Sequence, residues 1–331
     1  MKIFSKSDKI TLRHGSYFKD GVLYHGWDRG FFACVSTCLW NLVDLYADHK
    51  ILPERIDFSR SFPLYKNEYQ LNNQVDIYPL LFKIMPVSAK FNADVLLNHH
   101  TLYNDSDIKK LSAWVLKYFT IAEPIRVLQE ELRRKYNIDV SNTLVIYMRG
   151  TDKAKEIRSA AASSYYEQCE GVLKKRPRLR IWIQTDQKQH QDYLLEKYPG
   201  RAFVIDELPV VNNNIPMHLD PGLEFDRFKF GQYFLAATNL ISSCNTIITD
   251  TGNVGYWQAL FRGSLKDFYQ DTTNFRKIGS PEPLGQFNCL PLRYKIRDAL
   301  QRPAVLRKLK IFEIIKIPKK VINKFLTLRK Q

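Results

Sequence analysis

Short apolar runs alternate with helical stretches over the second half of the chain. The apolar runs predict four strands, at 144–148, 179–185, 202–205 and 246–249. The stretches between and after them predict helices at 160–175, 228–242 and 254–261. Strands that alternate with helices in this way predict an α/β protein with a doubly wound, parallel sheet.

The first half of the chain has a weaker pattern. A long apolar segment predicts a helix over 31–46, after the turn-like segment HGWDRG at 25–30. Two more helices are predicted at 106–119 and 124–136, and Pro124 suits the first turn of the second one. The change of pattern near 137–142 predicts a domain boundary just before the strand at 144–148.

That strand runs directly into Arg149. Ligands of parallel sheets bind at the carboxyl ends of the strands, and a guanidinium matches a pair of phosphate oxygens. Asp152, three residues further on, could orient Arg149 or accept a hydrogen bond from a sugar hydroxyl. The motif therefore predicts an anion site, and the alternative is an ordinary surface pair of arginine and aspartate.

Polar groups follow the other predicted strands too. Asp186 follows the second strand, and Asp206 and Glu207 follow the third. The fourth strand runs into a turn at 250–253 that opens a helix, where free backbone N–H groups favour a phosphate. Because the carboxyl ends of parallel strands share one edge of the sheet, these groups are expected to lie together.

Three sequence blocks carry a resemblance to a known family. They are VIYMRGTDK at 145–153, IQTDQKQHQDYLLEKYP at 183–199 and NTIITDTGNVGYWQALFRG at 245–263. In content, order and spacing they resemble the donor-binding blocks of the fucosyltransferase superfamily. This superfamily includes the alpha-1,6-fucosyltransferases, the rhizobial nodulation fucosyltransferase and the protein O-fucosyltransferases. The last block looks closer to bacterial polysaccharide glycosyltransferases than to the eukaryotic enzymes.

The resemblance implies a GT-B fold, in which two Rossmann-like domains face each other across a cleft. It also implies that the C-terminal domain holds GDP-fucose, with no metal and no cofactor beyond this donor substrate. By the same resemblance, Arg149 binds the pyrophosphate of the donor and Asp186 lies near the nucleoside. The resemblance also implies donor-binding roles for Asp152, Lys153 and Thr251. Asp250, Gly252 and Asn253 are predicted to bind the donor too, because they belong to the turn that opens a helix.

Three positions depart from the family pattern. Tyr147 stands in place of a histidine, Gly150 in place of a second arginine, and Ala236 in place of a helix aspartate of the alpha-1,6 enzymes. These departures bear on the identity of the donor sugar more than on the fold.

Transfer by one direct displacement would invert the anomeric centre. Such a reaction needs charge stabilisation on the leaving pyrophosphate and a base for the acceptor hydroxyl. Glu156 is the candidate base, since some family members use a glutamate close to this position, and the alternative is a solvated charge in the run KAKEIR. The expected function is an inverting glycosyltransferase that moves a sugar, with fucose favoured, to a glycan hydroxyl in surface polysaccharide or lipopolysaccharide biosynthesis.

The resemblance also sets the expected domain organisation. Residues 1–140 are expected to form an acceptor-side Rossmann-like domain, and 141–292 the nucleotide-sugar-binding domain. Asp28 and Arg29 are expected at the cleft on the acceptor side, and the alternative is a turn before a helix. Residues 293–331 are predicted to form a basic amphipathic helical tail.

The net charge of +16 is concentrated in that tail. Residues 293–331 hold thirteen Lys and Arg against Asp298 and Glu313, a net of +11. A basic amphipathic helix is typical of segments that lie on anionic membranes. Residues 302–331 are therefore predicted to dock the protein on the cytoplasmic face of the inner membrane, near a lipid-linked glycan acceptor. The alternative is a terminal helix that packs on the rest of the protein.

The hydropathy and the cysteine content of the chain indicate where in the cell the protein is expected. No run reaches the ~18 apolar residues that a membrane-spanning helix needs. The segment MKIFSKSDK lacks the apolar region of an export signal, and five scattered cysteines fit a reducing compartment. A cytoplasmic, peripheral protein is expected.

Two other classes of function remain open. One is a catalytically inactive sugar- or nucleotide-binding protein of the same fold. The other is a nucleic-acid binder that uses the basic tail, although the sequence has no helix-turn-helix, zinc or RNA-recognition signature. Dinucleotide-binding and P-loop enzymes are disfavoured, since neither glycine motif occurs.

Overall fold

Four short strands form the sheet of the first half of the chain. The structure, a computed structural model, describes residues 9–95, 102–149, 162–211 and 226–270. The strands lie in the order β1 (Ile10–Thr11), β2 (Tyr17–Lys19), β3 (Val22–Tyr24), β4 (Arg55–Asp57). β1, β2 and β3 are antiparallel, and β3 and β4 are parallel. The resemblance implies a Rossmann-like sheet here, whereas the described part of the first half has one parallel pair in this mixed sheet.

Five α-helices complete the described first half. They are α1 (Phe31–His49), α2 (Glu68–Asn72), α3 (Tyr78–Leu81), α4 (Asp105–Tyr118) and α5 (Glu123–Lys135). A small antiparallel pair, β5 (Phe82–Lys83) and β6 (Thr120–Ile121), and 3-10 turns at Arg13–Gly15, Pro63–Tyr65 and Val140–Asn142 lie between them. The three predicted helices are confirmed. Asn104 caps α4 by accepting from the backbone N–H of Ser106, and Pro124 occupies the first turn of α5.

The main sheet lies in the second half and is parallel throughout. Its strands are β7 (Thr143–Met148), β8 (Arg180–Thr185), β9 (Ala202–Phe203), β10 (Thr246–Thr249) and β11 (Phe268–Gln270), in the order β11-β10-β7-β8-β9. The connecting helices are α6 (Ala162–Lys175), α7 (Lys188–Lys197), α8 (Arg227–Ser242) and α9 (Asn253–Arg262). All six residues of β7 are buried, as expected for a central strand with helices on both faces. The predicted α/β class and the doubly wound parallel sheet are confirmed.

One hydrophobic core joins the two halves of the described chain. Phe32 of α1 and Trp114 of α4 belong to the same buried cluster as Val145 of β7 and Trp257 of α9. Helix α5 packs on α8, and α1 and α4 pack on α9. The position near 140 is therefore a change of sheet within one shared core, and the division into 1–140 and 141–292 stays a prediction.

The basic tail at 293–331, with its membrane-docking segment 302–331, lies outside the described residues. Among the helices that the structure describes, none is long and apolar enough to cross a membrane.

Candidate functional site

The strand order of the main sheet reverses between β7 and β10. From β7 the chain builds outward through β8 to β9, then returns to the other side of β7 with β10 and β11. At such a reversal the connections after the two strands leave in opposite directions, and the crevice between them is where ligands of doubly wound sheets bind. This crevice lies between Arg149, which follows β7, and the turn at 250–253, which follows β10.

Arg149 and Asp186 lie side by side at this edge of the sheet. The register pairs Met148 with Thr185, so the next residues of β7 and β8 are also neighbours. Nε of Arg149 is 4.0 Å from Oδ2 of Asp186, and the two side chains are 34% and 16% exposed. The ion pair is long, and a guanidinium has five N–H donors. Arg149 is therefore both oriented by a carboxylate and accessible to an anion in the crevice.

The connection after β8 places a histidine beside Asp186. His190 is in the first turn of α7, and its Nδ1 lies 3.0 Å from Oη of Tyr166 in α6. Burial lowers the pKa of His190, and the carboxylate of Asp186 opposes this by raising it. Reasoning from the sequence missed this residue, although its position four after Asp186, inside the block at 183–199, was a usable signal.

Glycine shapes the turn after β10. Gly252 has φ 153° and ψ −177°, a conformation that only glycine adopts readily, and it immediately precedes α9. A Cβ on Gly255 would lie 2.5 Å from the carbonyl oxygen of Asp250 and 2.8 Å from Oγ1 of Thr249. The first turn of α9 therefore packs against the end of β10 so closely that there is no room for a side chain at Gly255. Because the first N–H groups of a helix have no acceptor within it, this helix start is suited to an anion.

Three consecutive residues of the turn are held by side chains from other elements. Oγ1 of Thr251 accepts from Nε2 of Gln270 at 3.1 Å, and Oδ1 of Asn253 accepts from the hydroxyl of Ser36 at 2.7 Å. The N–H of Gly252 donates to Oη of Tyr103 at 3.1 Å. Thr251 is also only 1% exposed. The roles of these three residues as donor ligands stay predictions, since the observed contacts serve to hold the turn.

Two of the predicted strand-end carboxylates face away from the crevice. Glu207 accepts from Nζ of Lys135 at 2.7 Å, and the hydroxyl of Tyr136 lies within hydrogen-bond distance of both Asp206 and Glu207. The end of β9 is therefore tied to the C-terminus of α5. Arg149, Asp186 and the turn at 250–253 are the predicted groups that the structure brings to one edge.

The rest of the first predicted block lies outside the described residues. Asp152 and Lys153 belong to this block, and the candidate base Glu156, which follows it, also lies outside the described residues. Their roles stay predictions.

Helix α1 contacts the turn after β10. Ser36, in the second turn of α1, donates to Asn253, and its Oγ also accepts from Nε1 of Trp257. Asp28 and Arg29 are on the preceding loop, with side chains 72% and 70% exposed. Both side chains are therefore open to solvent, and their place on the acceptor side stays a prediction.

The described residues contain no group of three or more His, Cys, Asp or Glu side chains that could hold a metal ion.

Solved structures of the NodZ alpha-1,6-fucosyltransferase are among those that resemble this chain. The structure soaked with GDP-fucose is similar with a TM-score of 0.42 and 13% sequence identity, over 72% of this chain and 91% of that one. The structure of the fucosyltransferase NodZ from Bradyrhizobium has a TM-score of 0.41 and 14% identity over the same shares. No protein-family model matches this chain, and no curated protein does.

Proposed function

We propose that this protein is a glycosyltransferase that uses a nucleotide-diphosphate sugar as donor. One observation carries the proposal: a parallel sheet reverses its strand order between Arg149 and the start of α9, so that a guanidinium and a helix N-terminus border one crevice. A diphosphate is the ligand group that suits both, because each favours negative charge on oxygen.

The chemistry of the site follows from the leaving group. A bond forms between the acceptor oxygen and the anomeric carbon, while the bond from that carbon to the diphosphate breaks and its electron pair leaves with the nucleotide. Arg149 and the backbone N–H groups at the start of α9 would stabilise the charge that develops on the diphosphate. Asp186 would keep the guanidinium at the crevice. Glu156 is the proposed base that takes the proton of the acceptor hydroxyl, and because the transfer is one direct displacement it inverts the anomeric centre.

The donor and the acceptor are finer parts of the proposal. GDP-fucose is favoured because three sequence blocks resemble those of fucosyltransferases, and Arg149, Asp186 and the turn at 250–253 are at the positions that this resemblance assigns. A glycan hydroxyl, on a lipid-linked glycan in surface polysaccharide assembly, is the proposed acceptor. The basic segment 302–331 supports docking on an anionic cytoplasmic membrane surface.

A comparison of nucleotides on the full chain tests the proposal. GDP and GDP-fucose are expected to raise the thermal midpoint, because a ligand at about 100 times its Kd stabilises the folded state by about 2.7 kcal/mol. Slow release of GDP from GDP-fucose is expected as well. A response to UDP-sugars but none to GDP or GDP-fucose would contradict the donor. Binding without any turnover would favour the inactive nucleotide-binding protein instead.

Arg149→Ala tests the site itself. The variant is expected to weaken GDP binding by about 100-fold, since a charged, two-pronged hydrogen bond contributes about 1.5–3 kcal/mol. Arg126→Ala is the control, because Arg126 is exposed on α5 and pairs with Glu123. If Arg149→Ala binds GDP within a few fold of the unmodified protein, as the control is expected to do, the assignment of the crevice is wrong.

A further inference from the structure

The turn after β10 is fixed by hydrogen bonds from outside its own strand and helix. Its three held residues, and the side chains that hold them, are Thr251 with Gln270, Gly252 with Tyr103, and Asn253 with Ser36. Two of the three holding residues come from the first half of the chain, and the third is on the edge strand β11. The shape of the turn is therefore set by distant parts of the sequence.

Tyr103 makes the most complete of these contacts. Its Oη accepts from the N–H of Gly252 at 3.1 Å and donates to the carbonyl oxygen of the same residue at 2.9 Å. The backbone N–H of Tyr103 donates to Oε1 of Gln270 at 2.8 Å, and Gln270 in turn donates to Oγ1 of Thr251. Tyr103 is only 6% exposed. One buried hydroxyl thus holds both peptide groups that flank the Cα of Gly252.

The contact with Tyr103 is important because residue 252 is a glycine. Gly252 has the largest conformational freedom of any residue type, and its φ of 153° is one of many angles that a glycine could adopt. The two hydrogen bonds to Tyr103 select one orientation for the peptides on either side. The N–H groups that follow, at the start of α9, take their direction from that orientation. The hydroxyl of Tyr103 therefore determines where the anion-binding end of the helix is aimed.

We infer that Tyr103 is a positioning residue for the diphosphate of the donor, acting through Gly252. The inference rests on the proposed function, because it needs an anion in the crevice. Donors that are already oriented stabilise charge without the cost of reorganising when the charge develops. Gln270 supports the same arrangement, because it accepts from the backbone N–H of Tyr103 and donates to Thr251. Tyr103 and Gln270 act through the turn, without touching the ligand.

The neighbouring Tyr256 offers a matched control. It is also buried, at 3% exposed, and its ring centroid lies 5.3 Å from that of Tyr103. Its hydroxyl has no hydrogen-bond partner among the described residues. Removal of either hydroxyl leaves the aromatic ring in place, and only the hydroxyl of Tyr103 reaches the turn. A comparison of Tyr103→Phe with Tyr256→Phe therefore separates the hydrogen bonds to Gly252 from the packing of the rings.

The experiment measures binding of GDP, UDP and guanosine to the two full-length variants, together with backbone amide exchange of the ligand-free protein. Tyr103→Phe is expected to weaken binding of the nucleoside diphosphate about tenfold, the loss expected for one hydrogen bond. Guanosine, which lacks the diphosphate, is expected to bind within about twofold of the unmodified protein by the same argument. Faster exchange is expected over residues 249–256. Tyr256→Phe is expected to change none of these.

Different outcomes overturn the inference about Tyr103 and the proposed function. If Arg149→Ala loses GDP binding but Tyr103→Phe binds GDP as Tyr256→Phe does, the inference is overturned and the proposed function stands. Equal weakening of GDP and guanosine also overturns it, since the hydroxyl would then serve the fold as a whole. If the unmodified protein binds neither GDP nor UDP, the proposed function is overturned, whatever the exchange rates.

A second variant covers the case in which Tyr103→Phe does not fold. Gln270→Met keeps the length of the side chain but removes its hydrogen bonds to Tyr103 and Thr251. It is expected to weaken GDP binding about threefold, a part of one hydrogen bond, and to leave guanosine unchanged. Unchanged GDP binding in a folded Gln270→Met protein would overturn the inference in the same way.

Discussion

The two sides of the crevice are built in opposite ways. After β10, Thr251 and Gly252 are buried, and each residue from Thr251 to Asn253 is bonded to a side chain from another element. After β7 and β8, Arg149 and Asp186 form one long ion pair and remain partly exposed. One side of the crevice therefore offers backbone dipoles held by other elements, and the other offers the charged groups of partly exposed side chains.

The difference indicates a division of labour in ligand binding. A fixed turn determines where an anion must sit, because its N–H groups cannot follow a misplaced ligand. A partly exposed guanidinium can adjust to the anion after it arrives and can follow a change in its charge. The two sides should consequently respond differently to substitution, with changes of stability on the turn side and changes of affinity on the charged side.

Gly255→Ala should give the largest effect, on the turn side. The added Cβ would meet the carbonyl oxygen of Asp250 at 2.5 Å, so β10 and α9 must move apart. We expect the free energy of unfolding to fall by about 1–3 kcal/mol, as for other overpacked sites. Urea unfolding measures this.

Gly171→Ala is the control for that variant. Gly171 is an exposed glycine in α6, and an added Cβ would meet no heavy atom within 4 Å. The same substitution should therefore raise the free energy of unfolding by about 0.5–1 kcal/mol, because alanine suits a helix better than glycine. A Gly255→Ala protein as stable as Gly171→Ala would show that the turn is not tightly held.

Asp186→Asn should act on affinity and leave stability nearly unchanged. A partly exposed ion pair contributes at most about 1 kcal/mol, so the free energy of unfolding should change by no more than that. GDP binding should weaken about tenfold, because Arg149 loses the carboxylate that keeps it at the crevice. Calorimetric titration and urea unfolding give the two values. Asp192→Asn, on the exposed face of α7 and paired with Lys188, is the control and should change neither.

The smallest expected effect is on His190. Burial lowers its pKa from the ordinary value of 6.5, and the carboxylate of Asp186 raises it. Asp186→Asn should therefore move this pKa further down, which NMR of the imidazole ring can follow. An upward shift, or none, would contradict the placement of His190 beside Asp186.

The same shift has a consequence for stability. A histidine with a lowered pKa binds fewer protons in the folded state than in the unfolded one, so the stability it contributes is lost as pH falls below 6.5. In Asp186→Asn that loss should extend to lower pH than in the unmodified protein. Unfolding midpoints at several pH values would show it.

Much of the main sheet could be predicted from the sequence, because its central strands are long enough to show a pattern. β7 and β8 are six residues each and mostly buried. The strands of the first sheet, by contrast, have two or three residues each, too few for alternation to be recognised. β9 is shorter than predicted, since the residues after it turn towards Lys135 and Tyr136 of the α5 end.

Some residues of the candidate site could be predicted from the sequence, and others could not. Arg149, Asp186 and the turn at 250–253 could be found from the sequence, because each directly follows an apolar run. Tyr103 and Gln270 could not be found, since no local pattern links them to Gly252 and Thr251. Asn253 stays a predicted donor ligand, and its contact with Ser36, 217 positions away, could not be found from the local sequence.

The contacts of Ser36 and Tyr103 with the turn close very long loops of chain. They join residues separated by 217 and 149 positions. Contacts of such range form late in folding, because the entropy of loop closure must be met before they contribute. During synthesis both side chains leave the ribosome long before Gly252, so two of the three side chains that hold the turn exist before the turn itself. Capture of the nucleotide should accordingly be among the last abilities that the protein acquires, and it would report that folding is complete.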